Sequence, residues 1–389
     1  MKHSRQNRQL ILAVLLVWAA SVAFGFSRPP ALREETQKGQ HWKPTKIPAG
    51  THFVGRETCA ECHQSKVAVQ AKSSMGRALE RVAEAPILNS HRRLTFQQGQ
   101  FRYEILRQGN RSIYTVTDGT KTISEPILYS FGQGKAGQTY VLSHDGDLYE
   151  SRVSFYTDTR NLDLTIGHLE KRPQSVLEAL GQKLPQDEIK QCFSCHSTGA
   201  VSGNQLQLDK LTPGISCEVC HGPGAEHVAA GKAGQPNKEQ IFNPGKLSGD
   251  ELTQDFCGSC HRSVEDIVEL PKRIGMNNVR FQPYRIFNSR CYSDDRRISC
   301  IACHDPHESV KPEAAHYDAK CLACHQSGRN SGAVAVSSPA SEKRTAPGCK
   351  VATKNCVSCH MPKVDLPGAH FKFTDHRIRI ARAGEPYPY

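Results

Sequence analysis

Seven copies of one five-residue motif constrain how this chain can fold. Each copy reads Cys-x-x-Cys-His, so the motifs use two cysteines each, fourteen of the sixteen in the chain. On a helix, residues i, i+3 and i+4 share one face, so a single turn projects two thiols and an imidazole to the same side. The motif residues are Cys59, Cys62 and His63; Cys192, Cys195 and His196; Cys217, Cys220 and His221; Cys257, Cys260 and His261; Cys300, Cys303 and His304; Cys321, Cys324 and His325; and Cys356, Cys359 and His360.

This spacing is the attachment signature of c-type haem. The two thiols can reach the vinyl groups on one edge of a porphyrin, and the histidine can become the fifth ligand of the iron. Structural zinc sites also contain Cys-x-x-Cys pairs and are the alternative. A histidine follows every one of the seven pairs, and an export signal precedes them, so we predict seven covalently attached haem c groups.

The dense motifs leave little chain from which to build a protein core. Only 38% of the residues are hydrophobic and 7% aromatic, and six motifs lie between Cys192 and His360. The segment available to each of these motifs is too short to form a core of its own. We therefore expect the haems to form the core there, and the chain without haem to be largely unfolded.

The chain has a formal net charge of +12, which by itself suggests binding to nucleic acid or to an acidic membrane surface. Two propionates on each haem would cancel or exceed this excess. No basic run is interleaved with aromatic residues in the way that nucleic-acid-binding segments are. We therefore predict no nucleic-acid partner.

The first residues resemble an export signal. Three basic residues precede an apolar run from Leu10 to Phe26 that contains small residues near its end. This pattern predicts a secretory signal peptide over residues 1–25. The run is also at the lower limit of length for a membrane span, so a retained N-terminal anchor is the alternative. Both interpretations place the motifs in the periplasm or otherwise outside the cytoplasm.

Changes in pattern divide the rest of the chain into four predicted regions. They are a linker over residues 26–50, a first haem-binding helical unit over 51–91, an antiparallel β insert over 92–170 and a hexahaem helical domain over 171–389. In the third region, apolar residues alternate with polar ones between Gly-containing turn signals, as in a β-meander. The Gly-rich stretch from Gly132 to Gly137 favours a hairpin or bulge. The predicted fold is mainly α and irregular, with an inserted antiparallel β-meander.

The histidines outside the motifs are candidates for the second axial ligands. His307 lies three residues after His304, and His227 lies six residues after His221. Such short segments, kinked by proline and glycine, are poorly suited to reach the opposite face of their own haem, so we expect both histidines to ligate a neighbouring haem. The remaining candidates are His370, His376, His91, His316, His168 and the thioether of Met75, which would raise the reduction potential of its haem.

Cys291 and Cys349 lie outside the motifs. In an oxidising compartment they could pair as a disulfide, although the sequence does not show that they approach each other. Two free thiols are the alternative.

Four segments together resemble a known family: Gly214–His227, Cys303–His307, Cys359–Lys363 and Phe373–His376. They are similar to segments of the exported multihaem cytochromes of the cytochrome c-552/c-554 type. The resemblance implies closely stacked haems, mostly with two histidine ligands, on a mainly helical scaffold, and it supports His227, His307, His370 and His376 as distal ligands. The Ser-Met-Gly-Arg segment around Met75 and the position of His91 are also similar to segments of this family.

Two features depart from that family. Seven motifs with a β insert differ from its tetrahaem arrangement. No Cys-x-x-Cys-Lys motif is present, so the motifs contain no counterpart of the lysine-ligated catalytic haem of nitrite reductases.

The function that we expect is electron transfer by an exported heptahaem cytochrome. Its expected partners are redox proteins, and membrane-bound quinol-oxidising complexes are among the candidates. The alternative is an oxidoreductase that converts a small nitrogen or sulfur compound at one open-site haem. A spectrum of the oxidised protein distinguishes the two, because an open site gives a high-spin signal. The first motif is isolated in the sequence, so it is the first place to look for the point where electrons enter or leave.

Overall fold

An antiparallel sheet of ten strands is the largest element of the computed structural model. The structure describes residues 41–168, 171–235, 240–269, 276–292, 298–325, 349 and 351–387. One unit runs from Trp42 to Tyr389, and a second, Met1–His41, is described only at His41. The predicted signal peptide or anchor and most of the predicted linker therefore lie outside the described residues.

The strands of the large sheet follow one another mostly as hairpins. Their spatial order is β10-β7-β6-β5-β4-β3-β2, with β1 beside β5, and with β8 beside both β6 and β9. The backbone N–H of Thr95 on β2 donates to Asn161 Oδ1 on β9 at 3.4 Å, and the sheet curls into a half-barrel. The strands are β1 Leu79–Arg81, β2 Arg93–Gln98, β3 Phe101–Gln108, β4 Arg111–Thr117, β5 Thr122–Gly134, β6 Gly137–His144, β7 Asp147–Ser151, β8 Val153–Tyr156, β9 Asn161–Leu164 and β10 Gly181–Lys183.

Local turn chemistry sets the hairpins of this sheet. Strand β5 ends at Gly134 and β6 begins at Gly137, with a register shift after Phe131. The predictions of a β-meander and of a hairpin or bulge at the Gly-rich stretch are therefore confirmed. Glycines with positive φ, where an added Cβ would be strained, occupy the other predicted turns: Gly99, Gly109, Gly119 and Gly146.

The helices are mostly one or two turns long, because a Cys-x-x-Cys-His motif needs only one turn. They are α1 Arg56–Gln70, α2 Pro86–Ser90, α3 Val176–Leu180, α4 Gln186–His196, α5 Cys217–His221, α6 Ala225–Lys232, α7 Gly258–His261, α8 Val264–Glu269, α9 Gln282–Phe287, α10 Cys300–Cys303, α11 Ala314–His325 and α12 Cys356–His360. A π-helical turn, Glu251–Cys257, precedes α7. No helix in the described ranges is long and apolar enough to cross a membrane.

Short elements connect these helices. The 3₁₀ turns are Leu208–Lys210, Pro244–Lys246, Met276–Arg280 and Arg290–Tyr292. Three two-stranded ladders pair β11 Ser197–Thr198 with β14 Thr212–Pro213, β12 Val201–Ser202 with β13 Gln205–Leu206, and β15 Lys363–Asp365 with β16 Lys372–Thr374.

The prediction of a mainly α fold is wrong. Helix makes up only about 35% of the described residues, and the large antiparallel sheet is the dominant element. The motif helices are short because residues that disfavour helix follow them; α5, for example, stops at Gly222, which has a φ of 72°. The sheet is also larger than predicted, since β1 and β10 join it from outside residues 92–170.

Apolar packing connects the half-barrel to the first of the six clustered motifs. The interior of the half-barrel is filled by aromatic and aliphatic side chains, among them Tyr103, Tyr114 and Tyr140. On another face, the ring of Phe193 on α4 meets the rings of Tyr129 and Phe131 on β5 edge-on at 5.0 and 5.3 Å. The sheet thus fixes the position of α4 and of the motif that this helix carries.

Candidate metal centres

All seven motifs lie on or beside helical turns, as their spacing predicts. We number them 1 to 7 in chain order. Motif 1 lies on α1, motif 2 on α4, motif 3 on α5, motif 5 on α10, motif 6 on α11 and motif 7 on α12, while motif 4 spans the π-helical turn and α7. The two thiols of each motif thus lie close together in the chain's local fold, whereas His63 lies at a kink within α1 and His304 directly follows α10 in an extended conformation.

Thiol contacts give the order of the motifs in space, which differs from their order in the sequence. Electrostatic contacts between thiols join motif 3 to motif 4, through Cys220 and Cys257, and motif 5 to motif 6, through Cys303 and Cys324. The motifs thus follow the path 1–3–4–5–6–7, with motif 2 beside motif 4. Neighbouring thiols and contacts between the elements that carry them join motifs 1 and 3, 2 and 4, 4 and 5, and 6 and 7: Cys59–Cys217, Cys195–Cys260, Cys257–Cys300 and Cys321–Cys356.

Three of the histidines proposed as distal ligands each face the histidine of a motif. The ring planes are 13° apart in the first pair, 10° in the second and 42° in the third. The second histidine of each pair comes from a later part of the chain: it follows motif 3 in the pair of motif 1, motif 5 in the pair of motif 3, and motif 7 in the pair of motif 5. The pairs, with their centroid distances, are His63 and His227 at 6.3 Å, His221 and His307 at 6.1 Å, and His304 and His376 at 6.3 Å.

These distances match the separation of two imidazoles that share one metal ion. A metal–imidazole bond is about 2 Å long. The ring centre lies roughly 1.2 Å beyond the nitrogen, because the ring bonds are about 1.3 Å long. Two rings on opposite sides of one metal therefore have centroids roughly 6 to 6.5 Å apart. The residues present thus fit an iron with two histidine ligands.

Hydrogen bonds fix which ring nitrogen could bind the metal. In five of the motif and paired histidines, Nδ1 donates to a backbone carbonyl or a carboxylate. This fixes the tautomer and leaves Nε2 as the nitrogen with a free lone pair, which is the usual outer-shell arrangement of ligating histidines. The bonds are His196 to Ala78 O (3.1 Å), His221 to Phe242 O (3.0 Å), His307 to Asp305 Oδ1 (2.8 Å), His360 to Arg379 O (2.9 Å) and His376 to Thr374 O (3.0 Å).

Burial favours the neutral form of five histidine rings. Desolvation, together with the neighbouring His304, lowers the pKa of His376 to about 4. Desolvation also lowers the pKa values of four motif histidines, His196, His221, His261 and His304. The neutral imidazole is the form that binds a metal, so the sites are set for ligation at neutral pH.

In two further candidates, the ring nitrogen that would bind the metal, Nε2, instead contacts a carboxylate. Nε2 of His168 is 3.0 Å from Glu150 Oε2, and Nε2 of His370 is 2.7 Å from Asp163 Oδ2. Both histidines therefore contact carboxylates of the half-barrel through the nitrogen that a ligand would use. Their ligand roles stay predictions, and the observed contacts do not favour them.

His91 has the same Nδ1 hydrogen bond as His221, His307 and His376, since its Nδ1 lies 2.9 Å from Ile87 O. Its ring packs against Phe155 at 4.9 Å, beside the half-barrel. The ring of His316 meets Tyr317 edge-on at 5.1 Å. Met75 is half-buried, and its backbone carbonyl accepts from the N–H of Ile215, just before motif 3. The ligand roles of His91, His316 and Met75 stay predictions.

Buried guanidinium groups beside the motifs fit the acidic edge of a haem. Nε and Nη2 of Arg56 are buried without a hydrogen-bond acceptor among the described residues, as is Nε of Arg379. The neighbouring Cys59 contributes most to lowering the pKa of the Cys217 thiol, and Arg56, which also lies near Cys217, lowers it too. A buried guanidinium N–H without an acceptor is costly, and a propionate would satisfy it.

The zinc alternative requires a cluster of several ligands. Within the described ranges, no group of three or more His, Cys, Asp or Glu residues is arranged to hold a metal ion. Cys291 lies near the thiols of motifs 5 and 6, where it contacts Cys324 electrostatically, and Cys349 is exposed. Both are free thiols in the structure.

Two carboxylates that the sequence analysis did not identify lie beside the paired histidines. Asp305 accepts from both the backbone N–H and Nδ1 of His307, at 2.9 and 2.8 Å, and so orients that ring. Glu218, inside motif 3, contacts the segments that carry His63 and His227. The first could have been inferred from the turn-forming Asp-Pro in Cys303–His307, whereas nothing in the sequence distinguishes the second.

Comparison with known proteins identified three similarities. Residues 153–222 match the family described as cytochrome c554 and c-prime. The multihaem cytochrome MtrA of Shewanella baltica is 25% identical over 211 residues, which are 49% of this chain and 52% of that protein. The chain thus spans about half the length of this relative. The crystal structure of the outer cell wall cytochrome OcwA aligns with 84% of this chain and 79% of its own, with 16% identity and a TM-score of 0.45.

Proposed function

We propose that this chain, a multihaem c-type cytochrome, carries electrons between redox partners outside the cytoplasm. The observation that carries the proposal is the set of three histidine pairs with centroids 6.1 to 6.3 Å apart. Two histidine ligands saturate an iron and favour electron transfer over binding of a substrate. When bound, haem iron supplies the cycling between Fe(III) and Fe(II).

The chain's own residues hold and tune these centres. We assign the motif cysteines to covalent attachment of seven haem c groups and the motif histidines to the proximal ligand positions. His227, His307 and His376 are the proposed distal ligands of motifs 1, 3 and 5. Because each distal histidine belongs to a later segment, every such pair cross-links two parts of the chain and holds neighbouring motifs close together.

The order of the motifs supports a conducting array. The path 1–3–4–5–6–7 is continuous, and its two ends, motifs 1 and 7, each carry an exposed thiol, Cys62 and Cys359, as the penultimate motif 6 does at Cys324. We propose these ends as the points where electrons enter and leave. Redox proteins, including membrane-bound quinol-oxidising complexes, are the proposed partners. The apolar run near the N-terminus supports export.

Removing a distal histidine tests the assignment. In the oxidised protein, we expect His227→Ala, His307→Ala and His376→Ala each to convert one low-spin haem to high spin, because each variant removes a sixth ligand. The measurement is electron paramagnetic resonance together with the visible spectrum. His52→Ala is the control, since His52 is exposed and outside the pairs.

Unchanged low-spin signals in all three variants would refute the assignment of distal ligands. A high-spin signal in the unmodified protein that responds to nitrite or hydroxylamine would instead support the alternative oxidoreductase, with one open site.

The number of haems is tested separately by mass spectrometry of the exported protein. We expect seven haem masses above that of the mature polypeptide, one for each motif. The matched control is a variant with both cysteines of motif 1, Cys59 and Cys62, replaced by alanine, which should carry six. A smaller number in the unmodified protein would refute the heptahaem assignment.

A further inference from the structure

One buried carboxylate inside motif 3 holds three backbone N–H groups from two segments, a distant one near the start of the described chain and one that follows motif 3 itself. Glu218 follows Cys217 directly and is only 1% exposed. Its Oε1 accepts from the N–H of Val54 and of Gly224, and its Oε2 accepts from the N–H of Gly55, all at 2.9 Å. Burial of an ionised carboxylate is costly unless such bonds compensate it, so the arrangement is specific rather than incidental.

The two segments that Glu218 holds lead into the two helices that carry the histidine pair of motif 1. Gly55 is the N-cap of α1, which carries His63, and Gly224 is the N-cap of α6, which carries His227. Glycine has no side chain, so neither helix has a side-chain cap of its own. Glu218 accepts hydrogen bonds from N–H groups at the N-terminus of both helices and places a negative charge at the positive end of each helix dipole.

We infer that Glu218 is the positioning residue that sets the axial-ligand geometry of the centre at motif 1. This inference rests on the proposed ligation by His63 and His227. One side chain fixes the start of both helices, and their imidazoles are nearly parallel, with planes 13° apart. Without the carboxylate, α1 and α6 would each lose an anchor, and the two rings would be free to rotate or separate.

The position of Glu218 also links two centres. It lies between the two cysteines of motif 3, so covalent attachment of that motif fixes its backbone. The same turn is held from the other side by Trp42, whose Nε1 donates to Val219 O at 2.7 Å. The geometry at motif 1 thus depends on the ordering of motif 3, its neighbour in the array.

Substitutions of Glu218 in the full haem-loaded chain test this role. Glu218→Gln keeps the shape but replaces one acceptor oxygen by an NH₂ group, which would face a backbone N–H. Glu218→Ala removes all three bonds. Glu61→Gln is the matched control, because Glu61 also lies between motif cysteines and also joins α1 to α6, through Lys232 at 3.0 Å, but both side chains are more than half exposed, and such a surface pair contributes little.

The electron paramagnetic resonance of low-spin ferric haem depends on the angle between its axial imidazole planes. We expect Glu218→Gln to shift one low-spin signal, the one that His227→Ala abolishes, while total haem remains unchanged. In Glu218→Ala we expect about one seventh of the haem to become high spin, since one of seven centres loses its ligand. Glu61→Gln should give the unmodified spectrum.

The outcomes separate this inference from the proposed function. If His227→Ala removes one low-spin signal but both Glu218 variants give the unmodified spectrum at full haem content, the inference is overturned and the ligation stands. If His227→Ala changes no signal, the ligation fails and the inference fails with it. If Glu218→Ala does not accumulate as a folded protein, Glu218→Gln decides the question. A shift confined to the low-spin signal that His227→Ala abolishes supports the positioning role of Glu218, and an unchanged spectrum overturns it.

Discussion

Blocking haem attachment is expected to unfold the part of the chain that carries motifs 3 to 7 while the half-barrel stays folded. The change is replacement of the ten cysteines of these motifs by alanine. The half-barrel has its own apolar core, which includes the fully buried Tyr103, Tyr114 and Leu142. It should therefore retain its structure without any help from haem.

The motif region has no comparable core among its described residues. Helices α10, α11 and α12, which carry motifs 5 to 7, bury no residue at all. Helices this short are unstable in water unless they pack against something, and here the packing surface would be haem. We expect this region to lose essentially all of its protection against proteases.

Limited proteolysis followed by mass spectrometry measures the effect. In the alanine variant, a fragment covering roughly residues 79–183 should survive, whereas residues 217–387 should be digested. The haem-loaded protein is the control and should resist in both regions. Equal resistance of the motif region in both proteins would contradict the idea that haem forms its core.

Local signals account for what the sequence predicted correctly about the fold. The hairpin turns at Gly99 and Gly109 are determined by the residues within them, so the meander is visible in the sequence. Strand β1 is different, because Leu79–Arg81 is three residues long and pairs with residues about fifty positions later, around Ser130. Nothing local marks such a strand, and its omission contributed to the incorrect mainly α prediction.

In the site, too, local features could be predicted from the sequence and long-range contacts could not. The spacing of each motif defines its attachment chemistry, and the short segments before His227 and His307 indicated that they would face neighbouring motifs. Which motif each one faces depends on the tertiary arrangement, in which motif 1 lies beside motif 3. Glu218 could not be predicted, because the two residues between the motif cysteines vary freely in the attachment signature.

Removing Arg285 is expected to cost about 3 kcal/mol or more of unfolding free energy, the range for breaking a buried ion pair. Arg285 and Asp375 are both fully buried, and they form two parallel bonds, Nε to Oδ1 at 2.8 Å and Nη2 to Oδ2 at 2.9 Å. Burial alone would raise the pKa of Asp375, but the hydrogen bonds from Arg285 and from the backbone N–H of Arg377, together with the charges of Arg285 and Arg379, hold the pKa below its ordinary value.

Arg285→Met would leave the carboxylate buried, with Arg379 as a side-chain partner at 2.8 Å. The measurement is denaturant unfolding of the haem-loaded protein. Lys183→Met is the matched control, because Lys183 forms a 2.6 Å pair with Asp147 that is exposed on both sides. Such a surface pair contributes at most about 1 kcal/mol. Equal losses in the two variants would contradict the prediction.

The same variant should disturb the centre at motif 5. Asp375 precedes His376 directly, and the hydroxyl of Ser289, on the segment that follows α9, donates to the carbonyl of His376 at 2.9 Å. The ion pair therefore ties α9 to the segment that presents His376 to His304. We expect Arg285→Met to shift the low-spin signal that His376→Ala abolishes.

In the double variant Arg285→Met/Asp375→Leu, no unpaired carboxylate remains. Much of the lost unfolding free energy should therefore return, while the low-spin signal of the centre at motif 5 stays shifted. If the double variant recovers both the stability and the original low-spin signal, the Arg285–Asp375 ion pair stabilises the fold without orienting His376.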